Sequence, residues 1–228
     1  MKLNHVAIIP DGNRRWAKSR GLAAGDGHKK GMQVIEEITR EAKKRGIKYL
    51  TAWGCSKDNV TKRSFSEVRF LYKLFEEYFQ KILRDEELHR DKVKVRVIGE
   101  WLKYFPSPLR KLIKAVQKAT ENYENYNFTL LMAYDGKREM ASAFEQARES
   151  HSKITQSSLK NYLWTKDLPP VDLVIRTGGN PHWSAGFLMW HIADTEFYFT
   201  KTFWPAFGVK EFRKAISAYN KVPRNLGA

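Results

Sequence analysis

The stretch HVAIIPDGNRRW, residues 5–16, decides how the rest of the chain is read. Its first five residues form a short apolar run that Pro10 and Gly12 stop abruptly. An apolar run of this length, closed by turn-forming residues, reads as a buried strand that ends in a loop. The alternation then repeats. Residues 28–45 place Met32, Ile35, Ile38 and Ala42 at helical spacing and stop at Gly46; KYLTAWG follows as a strand. A long amphipathic helix is predicted over residues 65–88, a strand over VKVRVIG (93–99) and a helix over 109–122, which two prolines precede. FTLLMAY, a helix over 138–149 and VDLVIRTGG complete the series. Strand and helix in turn predict a single α/β domain over residues 1–228, with a mainly parallel central sheet flanked by helices on both faces. Ligands in such folds bind beyond the carboxyl ends of the strands, where PDGN and RTGGN both fall.

The loop after the first strand crowds Arg14, Arg15, Lys18, Arg20, His28, Lys29 and Lys30 around Asp11. The whole chain carries a net charge of +16, so its partner is expected to be anionic. Glycine beside polar residues after a strand lets backbone N–H groups converge on an anion, and arginines fork onto phosphate oxygens. Asp11 would repel that phosphate unless a cation lies between them, and Mg²⁺ is the natural bridge. The competing reading, a plain Asp-Gly turn with solvated arginines, is equally open from spacing alone. Walker A, GxGxxG, GxSxG and Cys/His zinc signatures are all absent, and so is a DDxxD carboxylate cluster.

The single cysteine, Cys55, allows no disulfide within the chain and fits a reducing cytoplasm. No segment has the ~20 apolar residues that span a bilayer. A soluble protein is expected, at most peripheral to a membrane whose anionic lipids attract its charge. No nucleic-acid motif accompanies that charge, so nucleic acid is not the expected partner.

HVAIIPDGNRRWA with GHKKG, then SKDN, then DLVIRTGG and WHIADTEFYFTKTFWPAF, together resemble the cis-prenyltransferases, the undecaprenyl diphosphate synthase family. The likeness runs from about His5 to Phe207, nearly the whole chain. It implies a dimeric α/β enzyme that uses Mg²⁺ to move a prenyl group from an allylic diphosphate to a second substrate. By position, it implies that Asp11 serves the diphosphate and the metal, with Glu196 as a second metal carboxylate. Gly12, Asn13, Arg14 and Arg15 match the donor-diphosphate loop, with Trp16 beside it and His28 opening the next helix. Ser56 and Asn59 match a polar pair near the reacting carbons, where the asparagine is associated with proton removal. Arg63 and Glu67 match the arginine and glutamate that follow. Arg176 and Ser184, with His182 between them in sequence, match the pocket for the acceptor's phosphates. By this resemblance the long helix from Phe65 supplies the wall of a prenyl tunnel, although for any one of its aromatics plain core packing is the first reading.

The chain departs from the family at Ala24 and His182, where arginines are usual, at Val60 in place of tryptophan, and at Asp135 in the AYDG turn. One residue is also added near Gly186, and another before Glu67. Each missing charge-assisted hydrogen bond is worth roughly 1.5–3 kcal/mol, so diphosphate binding should weaken. The expected function is therefore a short-chain or non-standard condensation, head-to-middle (lavandulyl-type) or onto a non-isopentenyl acceptor. An ordinary cis-condensing synthase using isopentenyl diphosphate is the alternative, with a non-catalytic partner subunit or a nucleic-acid-binding protein behind it. Cys55 and His5 read as packed core groups rather than a nucleophile and a ligand. Asp194 reads as a surface or capping residue at least as readily as a metal neighbour.

Overall fold

A computed structural model of the chain describes residues 3–151 and 153–222. Six strands form one sheet: β1 (His5–Ile9), β2 (Tyr49–Ser56), β3 (Val93–Ile98), β4 (Tyr126–Tyr134), β5 (Leu173–Arg176) and β6 (Glu196–Phe199). Their order is β3-β4-β2-β1-β5-β6, and every adjacent pair is parallel. The helices in chain order are α1 (Asn13–Lys18), α2 (Ala24–Lys44), α3 (Lys57–Thr61), α4 (Phe65–Leu83) and α5 (Glu86–Arg90). They continue with α6 (Trp101–Tyr104), α7 (Ser107–Ala119), α8 (Gly136–Glu149), α9 (Gln156–Lys160) and α10 (Trp204–Lys221).

β1 is buried along its whole length, so both of its faces are apolar. Val6 and Ile8 join a core cluster with Ile38, Phe79 and Phe212; Ala7 and Ile9 join a second, with Leu131, Phe187 and Leu188. α2 buries Ile35, Ile38 and Ala42 of the predicted stripe and adds Val34, while Met32 is only half-buried. The chain leaves β1 first toward β2 and later toward β5 on its other side. A parallel sheet opens a crevice at such a reversal, outside the carboxyl ends of the strands.

Two predicted boundaries change. The helix predicted over 65–88 ends at Leu83, because the Asp85 side chain accepts from Leu88 N and starts a new helix, α5. α2 begins at Ala24, so His28 sits one turn inside the helix rather than at its start.

Candidate active site

The reversal at β1 brings the loops after β1 and β5 together, and one hydroxyl knits them. Thr177 Oγ1 accepts from Asp11 N at 2.9 Å and donates to Asp11 O at 2.8 Å. Trp204 N donates to the same carbonyl at 2.9 Å, which anchors the loop to α10. Gly12, at φ 106°, lies against the Phe203 ring, and a Cβ there would stand 2.6 Å from Cδ1. No other residue fits that combination of backbone and space.

The held carboxylate is divided between two arginines. Asp11 Oδ1 is 3.1 Å from Arg15 and Oδ2 is 3.2 Å from Arg176. Arg176 is buried; it also donates to the His182 carbonyl at 2.9 Å and to Ser184 Oγ. Burial pulls the Arg176 pKa down while Asp11 opposes that pull. His182 Nε2 bonds Ser184 Oγ at 2.9 Å, which closes an Arg176–Ser184–His182 group.

Across the mouth, Glu67 gathers three nitrogenous side chains. Its carboxylate is 2.8 Å from Arg63, 3.8 Å from Arg14 and 4.0 Å from His28. Burial and the Arg63 charge hold the His28 pKa down to about 4, with Glu67 opposing them in part. At neutral pH His28 is therefore a neutral hydrogen-bonding group, not a cation. Ser56 and Asn59 bind each other reciprocally at the start of α3: Asn59 N donates to Ser56 Oγ, and Ser56 N donates to Asn59 Oδ1. The asparagine oxygen accepts this one bond and keeps a second lone pair, beside the donor N–H groups of its amide.

These residues border a cavity of about 480 Å³, within the range of small-molecule sites. Its polar mouth holds Asp11, Asn13, Arg14, Arg15, Arg63 and Arg176, with His28, Ser56, Asn59 and Ser184 around them. Its interior is apolar, walled by Met32 and Ile35 from α2 and by Leu71, Leu74, Phe75 and Phe79 from α4. On α4, Phe75 and Phe79 are core residues and cavity wall at once. Asn13 Oδ1, His28 Nε2 and Arg176 Nε are buried without hydrogen-bond partners. Orphaned polar atoms converging on one mouth mark a place for a polar ligand.

Four candidates stand apart from the cavity wall. Trp16 lies under Arg20, whose guanidinium is 4.5 Å from the ring centroid. Glu67 and His182 act one layer back, through the side chains they hold. Glu196 is not brought to Asp11 within this chain. It pairs in register with Leu173 at the start of β6, three residues back from Arg176 and so roughly 10 Å from the active end of the sheet.

Among the described residues no three His, Cys, Asp or Glu side chains form a metal-binding cluster. Mg²⁺ does not need one, because it binds through one or two carboxylates plus phosphate and water. Asp11, a third exposed beside Arg15 and the orphaned Arg176 Nε, fits a metal that arrives with a diphosphate.

Cys55 is buried with its thiol pushed up to about 12, and Ala133 N donates to its Sγ, so it is no nucleophile. His5 is packed and bonded, as its place on β1 suggested: Thr51 Oγ1 lies 2.9 Å from Nε2 and the Pro169 carbonyl 3.0 Å from Nδ1. Sequence reasoning missed Thr177 and Trp204. Thr177 lay inside the quoted RTGG motif, but nothing in the sequence shows its hydroxyl crossing to Asp11.

An anion-binding mouth over an apolar cavity, at the carboxyl ends of a parallel sheet, defines a protein that handles an amphiphile with a charged head. Comparison with known proteins makes the class specific. Residues 9–227 match the family model described as putative undecaprenyl diphosphate synthase. An isoprenyl transferase of Thermotoga maritima is 39% identical over 98% of this chain and 96% of its own. A tritrans,polycis-undecaprenyl-diphosphate synthase (geranylgeranyl-diphosphate specific) of Thermoplasma volcanium is 36% identical over 98% of this chain and 88% of its own. The crystal structure of lavandulyl diphosphate synthase from Lavandula x intermedia, in complex with dimethylallyl diphosphate, superposes with a TM-score of 0.93. It is 30% identical and covers 100% of this chain and 99% of that one. The chain belongs to the undecaprenyl diphosphate synthase family of prenyltransferases.

Proposed function

We propose that the chain transfers a prenyl group from an allylic diphosphate to a second isoprenoid, with Mg²⁺ as its metal. The observation that carries this reading is the group of guanidinium side chains, Arg14, Arg15, Arg63 and Arg176 with its orphaned Nε, at the mouth of an apolar cavity. Arg14, Arg15 and Arg63 hold the donor diphosphate, with Asn13 and the neutral His28 as further hydrogen-bonding groups. The allylic C–O bond breaks with its electron pair leaving on the diphosphate, where these charges stabilise it. Asp11 would hold the Mg²⁺, and the ion would supply charge neutralisation at the same leaving group. The acceptor's alkene pair forms the new C–C bond, while the apolar wall of α4 keeps water from the cationic carbon. Ser56 and Asn59 orient the reacting carbons. With Ser56 and Asn59 assisting, the proton lost from the acceptor passes to a diphosphate oxygen.

Arg176 and Ser184 hold the acceptor. Their third member is His182, which adds charge only when protonated. This thinner anion site favours an acceptor other than isopentenyl diphosphate, and the lavandulyl diphosphate synthase supports that branch. Elongation with isopentenyl diphosphate is the second reading, supported by the undecaprenyl synthases among the relatives. The exposed, stacked Phe197 and Phe199 on edge strand β6 support a homodimer. Glu196, on that same strand, reaches a metal only across such an interface.

The test is product analysis with Mg²⁺ and dimethylallyl, geranyl or farnesyl diphosphate, each alone and then with isopentenyl diphosphate. Coupling without isopentenyl diphosphate supports the first acceptor, and extension only in its presence supports the second. Full transfer by a folded Asp11→Ala variant refutes the mechanism.

A further inference from the structure

Residues 14–30 and 57–73 hold eleven Lys and Arg against three Asp and Glu, a balance of +8. Half of the chain's +16 thus lies in 34 of its 228 residues. The two segments are neighbours: Arg14 lies 3.8 Å from Glu67, and Gly25 packs on the Phe70 ring. Both border the cavity mouth, through Arg14 and Arg15 on one side and Asn59 and Arg63 on the other. Apolar side chains stand uncovered among these charges. Phe65 is 81% exposed, more than any other large hydrophobic side chain described, and Leu22 is 45% exposed. Lys18, Arg69 and Lys73 are exposed and make no salt bridge among the described residues. A face that serves only solubility has no use for an uncovered phenylalanine, and one that binds only an anion has no use for Leu22. Basic and apolar groups together supply the two signals that reversible membrane binding requires.

We propose that this face docks on an anionic phospholipid bilayer. Lys18, Arg69 and Lys73 meet the headgroups, Phe65 and Leu22 enter the acyl boundary, and the cavity mouth lies at the membrane surface. The docking rests on the reading above only in giving the cavity a lipid-like occupant; binding to the bilayer needs no turnover.

The full chain would be sedimented with vesicles of phosphatidylcholine alone and of phosphatidylcholine with phosphatidylglycerol in equal parts. It should bind the mixed vesicles and not the neutral ones, more weakly as salt rises. Lys18→Glu with Arg69→Glu should weaken binding about 25-fold or more, and Phe65→Ser about tenfold. Lys111→Glu with Lys114→Glu on α7, an equal charge change elsewhere, should leave it unchanged. Equal weakening by the α7 pair, no binding to mixed vesicles at low salt, or displacement from them by duplex DNA at matched charge would overturn the proposal. Transfer between short soluble substrates should survive in the Phe65→Ser variant. A protein that binds vesicles but transfers nothing refutes the catalytic reading and supports the docking one.

Discussion

Replacing Arg176 by Met removes one guanidinium from two places at once. The side chain is buried, and Met fills much of its volume, so the packing loss is small. What disappears is the 3.2 Å contact with Asp11 and the bonds to Ser184 and the His182 carbonyl. Asp11 stays paired with Arg15 and is one-third exposed, so it is not left as a stranded buried charge. The fold should therefore survive. Hydrogen bonds to charged groups contribute roughly 1.5–3 kcal/mol each. In the proposed reaction, two such contacts to the diphosphates would amount to about 3–6 kcal/mol, or roughly 10²–10⁴ in kcat/KM. Arg176→Lys keeps the charge but not the fork, so it should recover only part of the loss. The assay is steady-state transfer with either substrate varied, beside a thermal melt of each variant. A folded Arg176→Met variant within tenfold of wild type for both substrates would refute the bridging role.

Burial holds the His5 pKa at about 4, against contacts with Pro169 and Asp172 that raise it. The unfolded chain protonates first, so stability is complete above about pH 6.5 and falls as pH drops toward 4. The loss is roughly 2–3 kcal/mol near pH 4.5; urea midpoints should show it in wild type and less of it in His5→Gln. A Cβ at Gly136 would stand 1.7 Å from the Gly186 carbonyl oxygen, so Gly136→Ala must push the 184–186 loop aside. It should cost about 1–3 kcal/mol in a melt and raise the acceptor KM more than the donor KM. Phe79→Ala should cost about 3–5 kcal/mol and, if folded, lengthen the products seen by mass spectrometry, because Phe79 walls the cavity.

The order of elements was legible because β1, β2, β4 and α2 obey simple periodicities, and Pro and Gly mark their ends. β6 was not, because it is only four residues long, half-exposed and at the edge of the sheet. The break after Leu83 was also hidden: its cause is the cap at Asp85, whereas the apolar pattern runs on to Leu88. The donor loop could be read because its residues are consecutive. The Glu67 cluster could be named but not built, since Arg14, His28 and Arg63 meet only when α1, α2 and α4 pack. Glu196 shows the converse: its motif could be read, but its place in register with Leu173, three residues back from Arg176, could not.

Arg176 stands between Asp11 and Ser184, and in the proposed reaction this gives the site a thermodynamic property that neither half has alone. A ligand that draws the guanidinium toward Ser184 loosens Asp11, and one that recruits Asp11 changes what Arg176 offers the acceptor. Whatever factor the donor imposes on acceptor affinity, the acceptor must impose on the donor. Dissociation constants measured singly will therefore not multiply to that of the ternary complex, and Arg176→Met should make them do so.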